Sequence, residues 1–513
     1  MDHQDAVIAL LESPVTHHGH PVERIDTHAS VVFLAGDRAW KMKRAVRYDY
    51  LDFSTLERRR ACCEAEVAIN RLTAPTLYRG VVPVTREPDG GLALAGVGDP
   101  VEWLVEMSRF DEASLLDRLA ARDGLSLDLM PKLARAVARC HEWAPRTDLH
   151  GGRAGMAWVI DGNADGFRRF GSDCLDSAAC GRLTADLHQE VRHFGQLLDE
   201  RRQHGLVRRC HGDLHLRNIV LLNDAPTLFD AVEFNDDLSC IDVLYDLSFL
   251  LMDLWRQLPG HANAVLSAYL AETLDFEGLA LLPLFLSCRA AVRAKTHATA
   301  STLAVTPERR AVWQQGARGY LALAQTFLDM PGPTLIAIGG WSGTGKSTLA
   351  RRLAPEVGRA PGALVLRSDE VRKQLHGVSA TTPLGPEAYA EAVSRRVYAT
   401  LAARTQLALR AGHTVIVDAV FGTPAERSAI ERVARSVGVP FVGMWLDAPE
   451  VVMVERAQRR RDDASDADAA VIHRQVREDP GLIRWERLDA SGRLDRVEAR
   501  AADLVTGRMR RPA

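Results

Sequence analysis

The sequence predicts two folded domains of different class, an α+β domain followed by an α/β domain with a parallel sheet, and three features of the 513-residue chain carry that reading. A loop, His211-Gly212-Asp213-Leu214-His215-Leu216-Arg217-Asn218, sits between strand-like and helical runs. A glycine loop, Gly340-Trp341-Ser342-Gly343-Thr344-Gly345-Lys346-Ser347, lies between a short apolar run and a helix. Between the two, Pro331-Gly332-Pro333 cannot continue a helix and marks a linker. A chain of this length exceeds what one hydrophobic core usually holds, and 47% hydrophobic with 26% charged residues is ordinary globular composition. The domains are accordingly placed at residues 1–330 and 334–513.

Val31–Leu34 and Ala39–Lys43 read as two strands joined at Gly36-Asp37, a pair that suits a hairpin turn. Side chains alternate along a strand, so Trp40 and Met42 face one way and Lys41 and Lys43 the other. One of these lysines is placed to reach nucleotide phosphates, Lys43 with Lys41 as its substitute. A helical stretch from Leu56 to Leu72 carries Glu66, the expected partner of that lysine, with Glu64 as the competing choice. Strand-like runs at Gly80–Val84 and Val101–Met107 complete a small lobe, the second leading through Ser108 and Arg109 into a hinge.

From Leu115 the pattern becomes helical: Leu133, Val137 and Cys140 share one face, and later Leu187, Val191, Phe194 and Leu198 do the same. Together the lobes predict a bilobal protein-kinase-like fold. In the loop that follows, Asp213 has the place of a base for an acceptor hydroxyl and Asn218, five residues on, that of a Mg²⁺ ligand. Ile219–Leu222 and Thr227–Asp230 form a hairpin that delivers Asp230 as the second Mg²⁺ ligand. His211 and His215 have helical metal-ligand spacing but lie in a loop without a partner Glu, so His211 is read as a brace.

Ala231-Val232-Glu233-Phe234, then Asp242 and Tyr245-Asp246-Leu247, resemble the acidic segment that follows the metal Asp in the aminoglycoside phosphotransferase and choline kinase superfamily. The resemblance extends from Thr27-His28-Ala29-Ser30 through Trp40–Lys43 and the His211–Asn218 loop to Asp230, about residues 20–320. It implies ATP-dependent phosphorylation of a small molecule. The loop Asp26–Ser30 departs from the protein kinase pattern in having no glycine, which leaves Ser30 and backbone amides to cover the phosphates.

After the linker, Thr334–Gly339 reads as a strand, Gly340–Ser347 as the loop, and Ser347–Arg351 as the start of a helix, the context of a P-loop NTPase fold. Gly340, Ser342, Gly343, Thr344 and Gly345 would cradle ATP phosphates at a helix N-terminus, Lys346 would neutralise them, and Ser347 would hold Mg²⁺. The strand Ala363–Arg367 ends at Ser368-Asp369-Glu370-Val371-Arg372, which puts Asp369 and Arg372 one helical turn apart at the carboxyl edge of the sheet. There Asp369 would orient or deprotonate an acceptor hydroxyl and Arg372 would anchor an acceptor anion. Asp418, after the strand Thr414–Val417, is a Walker B-like carboxylate for the Mg²⁺ shell. Past the strand Phe441–Leu446, Arg456, Arg459, Arg460 and Arg461 read either as a lid, with Arg456 and Arg460 on the phosphates, or as a solvated helix face. This half resembles the AAA-type P-loop small-molecule and polynucleotide kinases, including gluconate kinase and zeta-toxin-like groups.

A formal net charge of −3 gives no global reason to expect nucleic acid or a membrane surface, no apolar run has the length of a membrane span, and the start is acidic. Eight cysteines without paired Cys-x-x-Cys motifs indicate neither a zinc site nor a disulfide framework, and the reading is cytoplasmic. The expectation is therefore a bifunctional, ATP- and Mg²⁺-dependent phosphotransferase with small-molecule acceptors. Two alternatives stay open: one domain is an ATP-binding switch without transfer, or the C-terminal domain is a polynucleotide 5′-kinase.

Overall fold

The computed structural model describes residues 3–48, 50–329, 331–459 and 463–509. Its internal contacts divide the chain into two compact units, Met1–Ser172 with Asp176–Asp253, and Asp173–Leu175 with Leu254–Ala513. The division falls at Leu254, ahead of the linker at Pro331–Pro333 that local composition suggests. Among the described residues no helix is long and apolar enough to cross a membrane.

The first unit is built on an antiparallel six-stranded sheet in the spatial order Val22–Asp26, Ser30–Ala35, Arg38–Lys43, Asp99–Ser108, Tyr78–Arg86, Leu92–Leu94. The two predicted hairpin strands pair with Phe33 opposite Trp40 and Val32 opposite Lys41. Phe33, Trp40, Met42, Val84 and Leu104 are buried on one face with Val7 and Leu11 of the first helix. The helix Leu56–Asn70 covers the other face through Cys63 and Val67. It starts at Thr55, whose hydroxyl accepts the Arg58 amide and satisfies one of the open donors of the first turn. The edge strand Val22–Asp26 is too polar, and Leu92–Leu94 too short, to stand out as an alternating run. The helices Met130–Trp143, Gly152–Phe170 and Ser177–Gln203 form the helical lobe, with Leu133, Val137, Leu187, Val191 and Leu198 buried as their 3.6-residue spacing predicts.

The second unit holds a parallel five-stranded sheet in the order Leu364–Arg367, Val415–Asp418, Leu335–Gly339, Phe441–Asp447, Glu486–Asp489. Its strands read as near-continuous apolar runs because helices cover both faces. The exception is Glu486–Asp489, an edge strand with exposed polar residues that the pattern does not reveal. Three further helices, Pro259–Thr273, Leu282–Leu303 and Pro307–Leu328, belong to this unit. The first lies against the strand Leu364–Arg367 and the helix Lys346–Leu353. There the buried Asn263 Nδ2 donates to the Ala363 carbonyl at 2.8 Å, and Gln374 Nε2 donates to the Ala271 carbonyl at 3.0 Å.

Candidate active sites

In the first unit the hairpin Ile219–Leu222 and Ala225–Leu228 turns through Asn223 and Asp224, both at positive φ, as a two-residue turn that matches strand twist requires. It delivers Asp230, itself at φ +63. For a non-glycine residue this is a sparsely populated conformation, held here by a hydrogen bond from its amide to the Tyr78 hydroxyl at 3.1 Å. Asn218 Nδ2 donates to the Asp213 carbonyl at 2.9 Å and to its carboxylate at 3.1 Å, so the predicted base and metal ligand are joined. Asp213 and Asp230 each keep 43% of their side chain exposed, consistent with a cleft that can admit a nucleotide and an acceptor.

The loop is braced from behind by Asp246. Its carboxylate is fully buried and accepts the amides of His211 at 3.2 Å and Gly212 at 2.9 Å, while His141 Nε2 lies 3.1 Å away. His211 Nε2 in turn contacts the Phe229 carbonyl at 2.8 Å, as its reading as a brace anticipates. Gly212 has φ +82, and a Cβ there would stand 3.0 Å from the Leu238 carbonyl.

Lys41 and Lys43 share one face of their strand and both reach Glu66, but they do different things. Lys41 Nζ lies 2.9 Å from Glu66 and 2.6 Å from Asp230. Lys43 Nζ lies 2.7 Å from Glu66 and pairs with Glu233, with 2% of its side chain exposed. Lys41 is thus the lysine at Asp230 and Lys43 the one behind it, where the sequence reading puts Lys43 first with Lys41 as its substitute. The pleat puts both on one face, and only the depth of the cleft separates them. Glu64 is spent on an exposed pair with Arg60. Burial drives the Glu66 carboxyl up, and the two ammonium groups outweigh it, holding it at about 2. The same burial leaves Glu233 raised, Lys43 notwithstanding. In the loop without glycine, the Ser30 amide is taken by the Thr27 hydroxyl at 2.9 Å, and Arg44 Nε donates to the Thr27 carbonyl at 3.0 Å.

In the second unit Gly340, Gly343 and Gly345 all have positive φ. A Cβ at Gly343 would stand 2.4 Å from the Met453 carbonyl, so that position admits glycine alone. The loop opens into a cavity of about 1040 Å³ that also holds Asp369, Arg372 and Asp418. Ser347 Oγ donates to Asp418 at 2.6 Å, two hard oxygen donors of the kind Mg²⁺ takes. Lys346 Nζ donates to the Trp341 carbonyl at 3.0 Å, and the Ser342 amide donates to Gln475 Oε1 at 2.9 Å. Both groups are donors of the kind a phosphate takes at a helix N-terminus. Asp369 is raised by burial and by Asp418, with Arg367 and Lys346 pulling the other way.

Arg372 and Arg456 both line the cavity and are both tied to backbone carbonyls. Arg372 is 6% exposed, its Nη1 donates to the Ala388 carbonyl at 2.6 Å, and its guanidinium stacks 4.6 Å over the Tyr389 ring. It lines the cavity as part of the wall, and its Nε has no hydrogen-bond partner among the described residues. Arg456 donates to the Thr344 and Ala490 carbonyls at 3.2 and 2.8 Å, which makes it a support of the glycine loop. Arg459 pairs with Glu455 on an exposed helix face. Arg460 lies outside the described residues. Arg367, Asp463 and Gln475 are site residues that the motifs do not reveal.

Residues 55–282 match the phosphotransferase enzyme family and residues 335–478 match an AAA domain. The uncharacterized protein Rv2004c of Mycobacterium tuberculosis is 31% identical over 489 residues, which are 93% of this chain and 94% of that protein. The chain belongs to the same two-domain family. Its domains are of phosphotransferase and P-loop kinase type. The adenylyl-sulfate kinase of Myxococcus xanthus is 33% identical over 118 residues, 23% of this chain and 59% of that protein. A choline/ethanolamine kinase family protein from Mesorhizobium loti is 16% identical with a TM-score of 0.37, covering 64% of this chain and 96% of its own.

Proposed function

We propose that both units transfer the γ-phosphoryl group of ATP with Mg²⁺ to hydroxyl groups of small molecules. In the first, Asp213 takes the acceptor proton, Asn218 and Asp230 hold metal, and Lys41 meets the phosphates. In the second, the glycine loop with Lys346 holds ATP, Ser347 and Asp418 hold the metal, and Asp369 is the base. The observation that carries this reading is the chamber of the second unit, in which a half-buried carboxyl with a raised pKa and the phosphate loop line one cavity. A general base works best with a pKa lifted toward the working pH, which is what burial does to Asp369.

ATP labelled at the γ-phosphate, offered with sugars, amino alcohols, aminoglycosides and RNA oligonucleotides, tests it. Asp213→Asn should cost about 10²–10⁴-fold in labelling of one acceptor and leave a second acceptor unaffected, with Lys346→Ala doing the converse. ATP binding without label in any acceptor would refute transfer, and label in an RNA 5′-hydroxyl would make the second unit a polynucleotide kinase.

The pH profile gives a separate check. Asp369 must be ionised to accept a proton, so turnover in the second unit should rise with pH, along a limb displaced above the ordinary carboxylate range. Asp369→Asn should abolish turnover in that unit, and a limb at the ordinary range would reject Asp369 as the base.

A further inference from the structure

Arg367 ends its strand in register with Asp418, the last residue of the neighbouring parallel strand. Only 4% of its side chain is exposed, and every guanidinium nitrogen is used. Nε donates to Asp418 at 3.2 Å, Nη1 to Glu370 at 3.1 Å, and Nη2 to both Ser347 Oγ at 3.0 Å and Asp463 at 2.9 Å. Two of these partners, Ser347 and Asp418, are the pair with the chemistry to hold the metal. Asp463 comes from the loop that precedes the helix Ala469–Val476, and its second oxygen takes Arg351 of the P-loop helix at 3.2 Å. The same loop is tied down again by Asp466, which accepts Lys373 Nζ and the Tyr389 hydroxyl, each at 2.6 Å, and the Leu384 amide at 3.2 Å.

A serine hydroxyl offers one proton and two lone pairs. Ser347 gives its proton to Asp418 and one lone pair to Arg367, so a single lone pair remains for a cation, and Arg367 sets its direction. Because one nitrogen, Nη2, bonds both Ser347 and Asp463, a displacement of the 463–468 loop is felt at the hydroxyl. Four carboxylates, those of Asp369, Glu370, Asp418 and Asp463, surround the guanidinium, which would otherwise be too costly to bury.

Resting on the P-loop reading above, we propose that Arg367 is a positioning residue of the metal–nucleotide site, coupling the Ser347–Asp418 pair through Asp463 to the 463–468 loop. Loop docking and Mg²⁺-dependent ATP binding then rise and fall together. Groups that orient metal ligands without touching the metal typically govern its affinity in this way.

Hydrogen exchange on the full chain, with ATP titrated in Mg²⁺ or in EDTA, reads this site separately from the first unit. Protection of the 340–347 amides reports nucleotide, and protection of the 463–468 amides reports the loop. In the wild type Mg²⁺ should tighten both together. Asp463→Asn and Arg367→Lys should each reduce the gain from Mg²⁺ about tenfold, read as the ratio of ATP affinity in Mg²⁺ to that in EDTA for the same variant. A melting curve establishes that each variant is folded, and should Arg367→Lys not fold, Asp463→Asn alone decides. If both segments keep their wild-type Mg²⁺ response in Asp463→Asn, the coupling is wrong although the P-loop reading stands. If ATP protects residues 340–347 of the wild type under no condition, both fall.

Discussion

Replacing Glu66 with alanine is expected to destabilise the first unit by about 3–5 kcal/mol, because it breaks the buried ion pairs that one carboxylate makes with two lysines. Glu66 is fully buried and holds Lys41 at 2.9 Å and Lys43 at 2.7 Å. Its removal leaves Lys43 with Glu233 and Lys41 with Asp230, each a pair without its bridging carboxylate. Urea titration followed by a probe confined to the first unit measures the loss, and a change under about 1 kcal/mol would show that the network is dispensable. The pH dependence has a definite sign. The carboxyl is held at about 2 in the folded unit, against about 4.3 in an unfolded chain. The stability it contributes is therefore complete above the unfolded value and disappears as pH falls through the folded one. Acid titration of the wild type should show that loss, and Glu66→Gln should lack it. The lysines separate in the same experiment: Lys43→Met should act on stability, whereas Lys41→Met should act on ATP binding.

The second large effect concerns where the P-loop unit begins. A fragment of residues 331–513, cut at the Pro-Gly-Pro linker, should fail to melt cooperatively, whereas residues 254–513 should. The shorter piece loses the helix Pro259–Thr273, whose Asn263 satisfies the buried Ala363 carbonyl. An orphaned buried carbonyl costs about 1–3 kcal/mol, before the apolar surface uncovered on the strand Leu364–Arg367 is counted. The loss also reaches the site, since Gln374, bonded to Ala271, shares a helix with Asp369 and Arg372. Calorimetry of the two fragments decides the matter, and a cooperative transition in residues 331–513 would place the boundary at the linker after all.

The His211–Asn218 loop, the P-loop and the strands around them were legible because their signals are local. Gly343 and Gly345 adopt positive φ, Asn218 lies five residues from Asp213, and the side chains of Arg38–Lys43 alternate between the two faces of their strand, all within windows of a few residues. Such spacing translates directly into geometry, since backbone conformation and strand period are set by neighbours in the chain. The polar edge strands Val22–Asp26 and Glu486–Asp489 escaped because their burial is weak and their alternation with it.

Residue types and motif spacing thus suffice for the two fold classes and bring forward Asp213, Asn218, Asp230, Lys346 and Asp418 as candidates. Only the tertiary structure sets Lys41 against Asp230 and Lys43 against Glu233, assigns Pro259–Leu328 to the P-loop unit, turns Arg372 into the cavity wall and sets Arg367 among four carboxylates. The reason is physical. Asp230 meets Lys41 from 189 positions away and Asp463 meets Arg367 from 96, and electrostatic partners brought together by packing leave no trace in the spacing of either segment.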